Sequence, residues 1–191
     1  CLSGGNFHGQ PISAAMDFLS IALATLGNMS ERRTARLIDE NLSQGLSAFL
    51  IHKNVKKGVH SGFMTTQYTA AALVSENKTL AHPASVDSIP TSANFEDFVS
   101  MGSIAARKAV EILRNVEHIV AIELLCAAQG IDFRGSDKLG RGTTVAYSLL
   151  RKHVPMLRED RILSKDIGVV VGLIRSGQLT GAVEKIVGVK D

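Results

Sequence analysis

The chain has 191 residues, of which 45% are apolar, and a net charge of +3. This composition excludes an intrinsically disordered chain. The Lys and Arg residues are interspersed with acids, so no basic stripe points to nucleic acid. The aromatic content of 5%, with no Trp, favours packed helices over a β-sandwich. Two distant cysteines without a CxxC motif favour a reducing compartment. The sequence shows no leader pattern and no apolar run near the ~18 residues that span a bilayer. We therefore expect a cytoplasmic protein.

The start of the chain predicts a loop followed by two helices. Residues 3–11, SGGNFHGQP, are too rich in Gly and polar groups for regular structure. Apolar residues then recur at helical spacing and predict one buried face: Ile12, Met16, Leu19, Leu23 and Leu26. Gly27 and Asn28 predict the end of this helix. Ser30 predicts the N-cap of a second helix over 31–42.

The middle of the chain predicts two further helices separated by loops. Residues 43–61 are typical of a long loop, and helical patterning follows over 62–81. Residues 82–94, HPASVDSIPTSAN, contain two prolines and several hydroxyl residues, which predict another loop. The longest element then runs over 95–129 and is ended by Gly130. At 1.5 Å per residue it forms a rod of roughly 50 Å.

This rod is predicted to begin at a cap formed by Ser92 or Asn94, which places Glu96 in its first turn. Its second half, VEHIVAIELLCAAQ, is apolar on nearly every side, as in helices that are buried all round. Such a helix is too long for a compact protein of this size. The sequence therefore predicts an all-α fold that belongs to a larger bundle, and an oligomer.

The carboxyl-terminal part predicts three shorter helices over 143–154, 164–177 and 180–188. The preceding stretch GSDKLGRGTT imitates a phosphate-binding loop, but Arg141 stands where Lys is needed and Gly142 where Ser or Thr should hold magnesium. We interpret this stretch as a linker.

Metal chemistry is not favoured, because the histidines show no HExxH motif and His52 and His60 have the wrong spacing for a simple zinc pair. The polar loops 3–11 and 82–98 remain as candidate binding segments, since each precedes a long helix whose first amides are unpaired. For Glu96, the simplest interpretation is a first-turn acid that interacts with the helix dipole.

Long blocks of the chain resemble the aromatic amino acid ammonia-lyase family, and specifically the C-terminal half of histidine ammonia-lyases. The blocks are SGGNFHGQP, GNMSERRTARLIDENLS, SGFMTTQYTAAALVSENKTLAHPASVDSIPTSANFEDFVSMG and AIELLCAAQGIDFRG. They occur in the family's order, densely over 2–135 and more loosely beyond.

The resemblance implies an all-α bundle of long helices, as in the ammonia-lyase and fumarase-like superfamily, assembled as a homotetramer. Residues 1–135 would form the central part, with active-site loops 3–11 and 82–98, and 136–191 a helical tail. The implied reaction eliminates ammonia from L-histidine to give urocanate, without a metal. Its electrophile, methylidene-imidazolone, forms from Ala-Ser-Gly, which this chain does not contain. An N-terminal half would therefore be a partner, and these residues alone are expected to be inactive.

Position by position, Phe7 resembles the aromatic residue near the substrate ring, and Glu96 resembles the acid placed at the substrate imidazole. Glu96 would bind substrate and act as the catalytic acid or base. Members that act on phenylalanine or tyrosine tend to carry Gln there. Phe95 and Phe98 stand where the family often has Gln and His. The resemblance leaves two alternatives open: another aromatic lyase or aminomutase, and a non-catalytic helical assembly module.

Overall fold

The computed structural model describes Leu2, Gly4, residues 7–56 and residues 58–188. Within these residues the chain is helical and contains no strand, so the all-α prediction is confirmed. The helices, in chain order, are α1 (Gln10–Ile38), α2 (Met64–Leu80), α3 (Gly102–Arg134), α4 (Arg141–His153), α5 (Leu163–Arg175) and α6 (Gln178–Val187). Short 3-10 turns lie at Ala48–Leu50 and Ser92–Asn94. The predicted helix over 62–81 and the three carboxyl-terminal helices are confirmed.

The chain divides into two compact units. Unit 1 contains Cys1–Asn28 and Leu73–Val116, and unit 2 contains Met29–Ala72 and Glu117–Asp191. The helices α1, α2 and α3 each contribute residues to both units. The division at residue 135 concerns the larger bundle and stays a prediction.

The first helix does not end at Gly27 and Asn28, so the predicted break and the separate helix over 31–42 are wrong. A helical Gly costs only about 1 kcal/mol relative to Ala, which tertiary contacts can outweigh. Ser30 is not a cap, because its hydroxyl donates to Glu123 Oε2 at 2.6 Å within unit 2. Glu31 is buried there and accepts from Gln67 Nε2 at 2.6 Å.

The buried face of α1 in unit 1 is also different from the predicted one. Ile12 is 62% exposed, and Leu19 and Leu26 are exposed as well. The side chains that are buried instead are small or polar: Ser13, Asp17 and Ser20. The prediction assumed that this chain itself covers every apolar face. The exposed apolar side chains of α1 in unit 1 are called its apolar surface below: Ile12, Phe18, Leu19, Ile21 and Leu26.

The same helix corrects the statement that no apolar run approaches bilayer length. By length and composition alone, α1 is long and apolar enough to cross a membrane. The core helix of a soluble protein and a signal sequence have the same length and composition, so one such helix is weak evidence for a membrane span.

The rod is present, but it is shifted along the sequence. It begins at Gly102, whose N–H donates to the Ser100 hydroxyl at 3.1 Å. Glu96 therefore lies before the helix and outside its first turn. The dipole interpretation of Glu96 is wrong for this reason. At the other end, the helix continues through Gly130, which does not end it. A Cβ added to Gly130 would lie 3.3 Å from Leu46 Cδ1, so a glycine allows this close contact. The helix ends before Gly135, whose φ of +90° suits the left-handed conformation.

Unit 2 contains a carboxylate whose ionisation should affect stability. Burial raises the pKa of Glu31, but hydrogen bonds from Arg32 and Gln67 and the Arg32 charge lower it more, so the pKa lies below its ordinary 4.5. A lowered pKa means that the stabilisation is present above pH 4.5 and is lost as the pH falls below it.

We therefore expect that Glu31→Gln reduces the acid dependence of the free energy of unfolding between about pH 5 and pH 3. Urea unfolding across this range measures it. The exposed Glu40 offers a matched control, because Glu40→Gln should leave the acid dependence unchanged. An unchanged acid dependence in Glu31→Gln would contradict the assignment.

Candidate functional site

The two predicted polar loops are joined directly in unit 1. The His8 ring stacks on the Phe98 ring with centroids 5.2 Å apart and an interplanar angle of 23°. His8 Nε2 also lies 2.9 Å from the Phe98 carbonyl oxygen. The stretch that precedes α1 and the stretch that precedes α3 therefore form one surface.

The hydrogen bonds of His8 select one tautomer of its ring. The Gln10 backbone N–H donates to His8 Nδ1 at 3.1 Å, so Nδ1 must present its lone pair. Nε2 then carries the proton and donates to the Phe98 carbonyl. Both ring nitrogens are thus occupied in positioning the loops, which leaves His8 no free nitrogen for proton transfer.

Residues 82–101, called the connecting segment below, are held mainly through backbone groups. Gln10 Nε2 donates to the Ser85 carbonyl at 2.8 Å, and the Ser85 N–H donates to Asp17 Oδ2 at 2.7 Å. Further along, the Val99 N–H donates to the Ser88 hydroxyl at 2.9 Å. These bonds hold the segment although it contains no α-helix.

Glu96 closes a tight turn in this segment. The Thr91 N–H donates to the Glu96 carbonyl at 3.0 Å, and the Glu96 N–H donates to the Thr91 carbonyl at 3.3 Å. Ser92, Ala93 and Asn94 have φ of 52°, 53° and 66°, a left-handed conformation that is costly for residues other than Gly. Such strain persists where the surroundings impose it, and functional sites are enriched in it.

The side chains of the two predicted site residues project from this surface. Phe7 is 87% exposed, and its ring lies edge-on to the His8 ring with the centroids 6.3 Å apart. Glu96 is exposed, and its carboxylate makes no hydrogen bond or ion pair among the described residues. The loops are joined through His8 and Phe98, and the roles of Phe7 and Glu96 stay predictions.

The sequence argument missed the residues that hold these loops in place, which are His8, Gln10, Asp17 and Ser85. One signal was present: Asp17 is a lone acid within the apolar first turns of α1. A charge in such a place needs hydrogen-bond donors. The partner could not be foreseen, because Ser85 contributes its backbone, which no sequence pattern marks.

The remaining sequence candidates have structural roles. Residues 135–140 connect α3 and α4, so the linker interpretation is confirmed for them, whereas residues 141–144 of the same stretch belong to α4. An added Cβ on Gly142 would lie 3.1 Å from Val187 Cγ2, so this glycine allows α4 to approach α6. The Nδ1 atoms of His52 and His60 accept the backbone N–H groups of Asn54 and Asp160, respectively.

A cavity of about 920 Å³ lies in unit 2 and does not include the candidate site. Its walls come from the end of α1, the loop after it and the end of α3, with cationic side chains at Arg36, Arg134 and Lys138. Arg134 donates to the Ser43 carbonyl at 2.6 Å and is therefore committed to the loop. Part of the stretch that imitates a phosphate-binding loop lines this cavity, including Gly135 and Lys138, whereas neither of the two predicted site residues does.

The chain is similar in sequence to one family of known proteins. The sequence model described as "Aromatic amino acid lyase" matches residues 1–152, most of the chain. The chain belongs to the aromatic amino acid lyase family.

Several named proteins and solved structures are similar to this chain in sequence and in fold. The histidine ammonia-lyase of Alkaliphilus oremlandii is 61% identical over 97% of the chain and 36% of its own length. The crystal structure of histidine ammonia-lyase from Trypanosoma cruzi has a TM-score of 0.90 at 49% identity, over 97% of this chain and 36% of that one. Tyrosine aminomutase from Streptomyces globisporus has a TM-score of 0.92 at 42% identity, over 98% of this chain and 35% of that one. The chain thus spans about 36% of the length of these relatives.

Proposed function

We propose that these residues form part of a histidine ammonia-lyase, which eliminates ammonia from L-histidine to give urocanate. The observation that carries the proposal is the exposed, unpaired Glu96 carboxylate on a segment fixed by hydrogen bonds at several points. The high identity to histidine ammonia-lyases supports the choice of substrate.

In this proposal Glu96 recognises the substrate ring. A carboxylate accepts the imidazole N–H in a charge-assisted hydrogen bond of roughly 1.5–3 kcal/mol. A benzene ring offers no donor at that position and would leave the carboxylate unpaired once the site closes. Phe7, from the adjoining loop, supplies an aromatic face for the same ring. In the same proposal, Glu96 also acts as the acid or base that exchanges a proton with the substrate.

The electrophile is proposed to be methylidene-imidazolone, which activates the substrate amine for departure when it is present. The residues of this chain do not fit as its source, because no Ala-Ser-Gly occurs in the sequence. The group would come from polypeptide outside these residues. What this chain contributes is substrate recognition and the fixed shape of the loops, with no metal required.

The exposed surfaces of unit 1 support a larger assembly. Besides the apolar surface of α1, the α3 side chains Ile104, Val110 and Leu113 are exposed. Apolar areas of this extent mark interfaces. We propose that an N-terminal half of the enzyme and neighbouring subunits of a cytoplasmic homotetramer cover them, and that neither nucleic acid nor membrane is a partner.

The proposal is tested with a chimaera, in which this chain replaces the matching segment of the Alkaliphilus oremlandii enzyme. We expect turnover of histidine in clear preference to tyrosine and phenylalanine. A preference for either of those two substrates would overturn the histidine assignment, and the unmodified relative serves as the control.

A second candidate is an aminomutase acting on tyrosine, which the structural likeness to tyrosine aminomutase favours. Glu96 argues against it, because the family members that act on phenylalanine or tyrosine tend to carry Gln at the position that Glu96 resembles. The chimaera distinguishes the two, since conversion of tyrosine with no conversion of histidine would support the second candidate.

A further inference from the structure

Asp17 is a buried carboxylate in unit 1 that is bonded to the connecting segment, chiefly through backbone N–H groups. It is 3% exposed, and its Oδ2 accepts the Ser85 N–H at 2.7 Å. Its Oδ1 is buried and has no hydrogen-bond partner among the described residues. A neutral side chain could accept one amide N–H at a lower desolvation cost. The presence of a charged side chain at this buried position therefore needs an explanation.

The Asp17 side chain is held as an anion. Burial raises the pKa of its carboxyl, but the Ser85 hydroxyl and amide, the Ala84 amide and the Lys108 charge lower it more, so the pKa lies below the ordinary 3.8. At neutral pH the carboxylate is therefore ionised. An ionised acceptor holds a backbone N–H about twice as strongly as a neutral one.

Two other side chains hold the same stretch of backbone. Gln10 Nε2 donates to the Ser85 carbonyl at 2.8 Å, and the Lys108 ammonium donates to the His82 carbonyl. The stretch His82–Ser85 is thus attached both to α1 and to α3. The far end of the connecting segment is attached separately, through His8 and the Phe98 carbonyl. Glu96 lies between these two attachments.

We propose that Asp17 is a positioning residue, which acts through the Ser85 backbone to fix the connecting segment and thereby the Glu96 carboxylate. Asp17 does not touch the substrate in this scheme. The inference rests on the proposed function as far as Glu96 is concerned, whereas the attachment of the segment is a property of the chain itself.

The attachment is tested by hydrogen exchange on the full 191-residue chain. In Asp17→Ala, peptides covering 82–101 should exchange about tenfold faster or more, because a charge-assisted bond is lost, and peptides of α5 should be unchanged. Ser20→Ala is the matched control: Ser20 is also buried in α1, but its hydroxyl donates within the helix, to the Met16 carbonyl at 2.8 Å.

Asp17→Asn keeps an acceptor and should give an intermediate rate, which also provides a result if the Ala variant does not fold. Faster exchange in both units alike, or no change over 82–101, would overturn the attachment. In the chimaera, Asp17→Ala should raise the KM for histidine by about tenfold, with a smaller change in kcat, because the binding carboxylate is displaced. An unchanged KM would overturn the positioning role.

The two proposals fail in different ways. If the chimaera does not turn over histidine but the exchange contrast is observed, the function is wrong and the attachment stands. If the chimaera turns over histidine but the exchange contrast is absent, the proposed function stands and the attachment is wrong.

Discussion

Glu96→Gln in the chimaera is expected to lower kcat/KM for histidine by about 10- to 100-fold, the equivalent of one charge-assisted hydrogen bond. The reason is that the amide binds the imidazole N–H more weakly and cannot exchange a proton with it. The loss should be specific to histidine, so the ratio of histidine to phenylalanine turnover should fall. Initial rates with both amino acids measure this ratio.

Glu40→Gln is the control for this variant, because Glu40 is an exposed acid in the turn after α1, outside the candidate site. It should retain the parent activity. Full histidine turnover in Glu96→Gln would show that the carboxylate neither binds nor acts on the substrate. The segment that carries it would then have a structural role only.

Gln129→Leu in unit 2 is expected to lower the free energy of unfolding by about 3 kcal/mol, a large loss for a single substitution. Gln129 is fully buried, and its amide links two chain segments to α3. Its Nε2 donates to the Leu157 carbonyl at 2.7 Å and to the Leu50 carbonyl at 3.3 Å, and its Oε1 accepts the Leu157 N–H at 3.0 Å. Leu has similar size but leaves all three backbone groups unpaired.

The effect should be amplified by the backbone around Leu50. Phe49 and Leu50 have φ of 52° and 55°, which is unfavourable for large side chains and needs outside support. Denaturant unfolding of the variant measures the loss. Gln178→Leu makes the same chemical change at an exposed position at the start of α6, and its unfolding midpoint should be unchanged. A loss in Gln129→Leu no larger than in this control would contradict the assignment.

Local patterns were sufficient for much of the helical framework. Pro- and Gly-rich stretches mark the loops, and the periodicity over 143–154 and 164–177 predicts α4 and α5. These predictions succeed because short amphipathic helices bury their apolar faces within the chain itself. The candidate site residues were predicted from the family resemblance, because composition and spacing alone did not indicate them.

The failures have a common physical cause, which is that the deciding contacts join residues distant in the sequence. Gly27 suggested a stop, but tertiary contacts of Ser30 and Glu31 continue the helix. The apolar side chains of α1 suggested a core, yet in unit 1 they are exposed and Asp17 is buried. No periodicity marks the acceptor that Asp17 provides for the Ser85 backbone.

The central claim is that this chain provides the histidine-recognising part of a lyase and needs further polypeptide for activity. The most direct measurement is urocanate absorbance after addition of L-histidine to the isolated 191-residue chain and to the chimaera, side by side. We predict no urocanate from the isolated chain and sustained formation by the chimaera. Urocanate from the isolated chain, or none from a folded chimaera, would contradict the account.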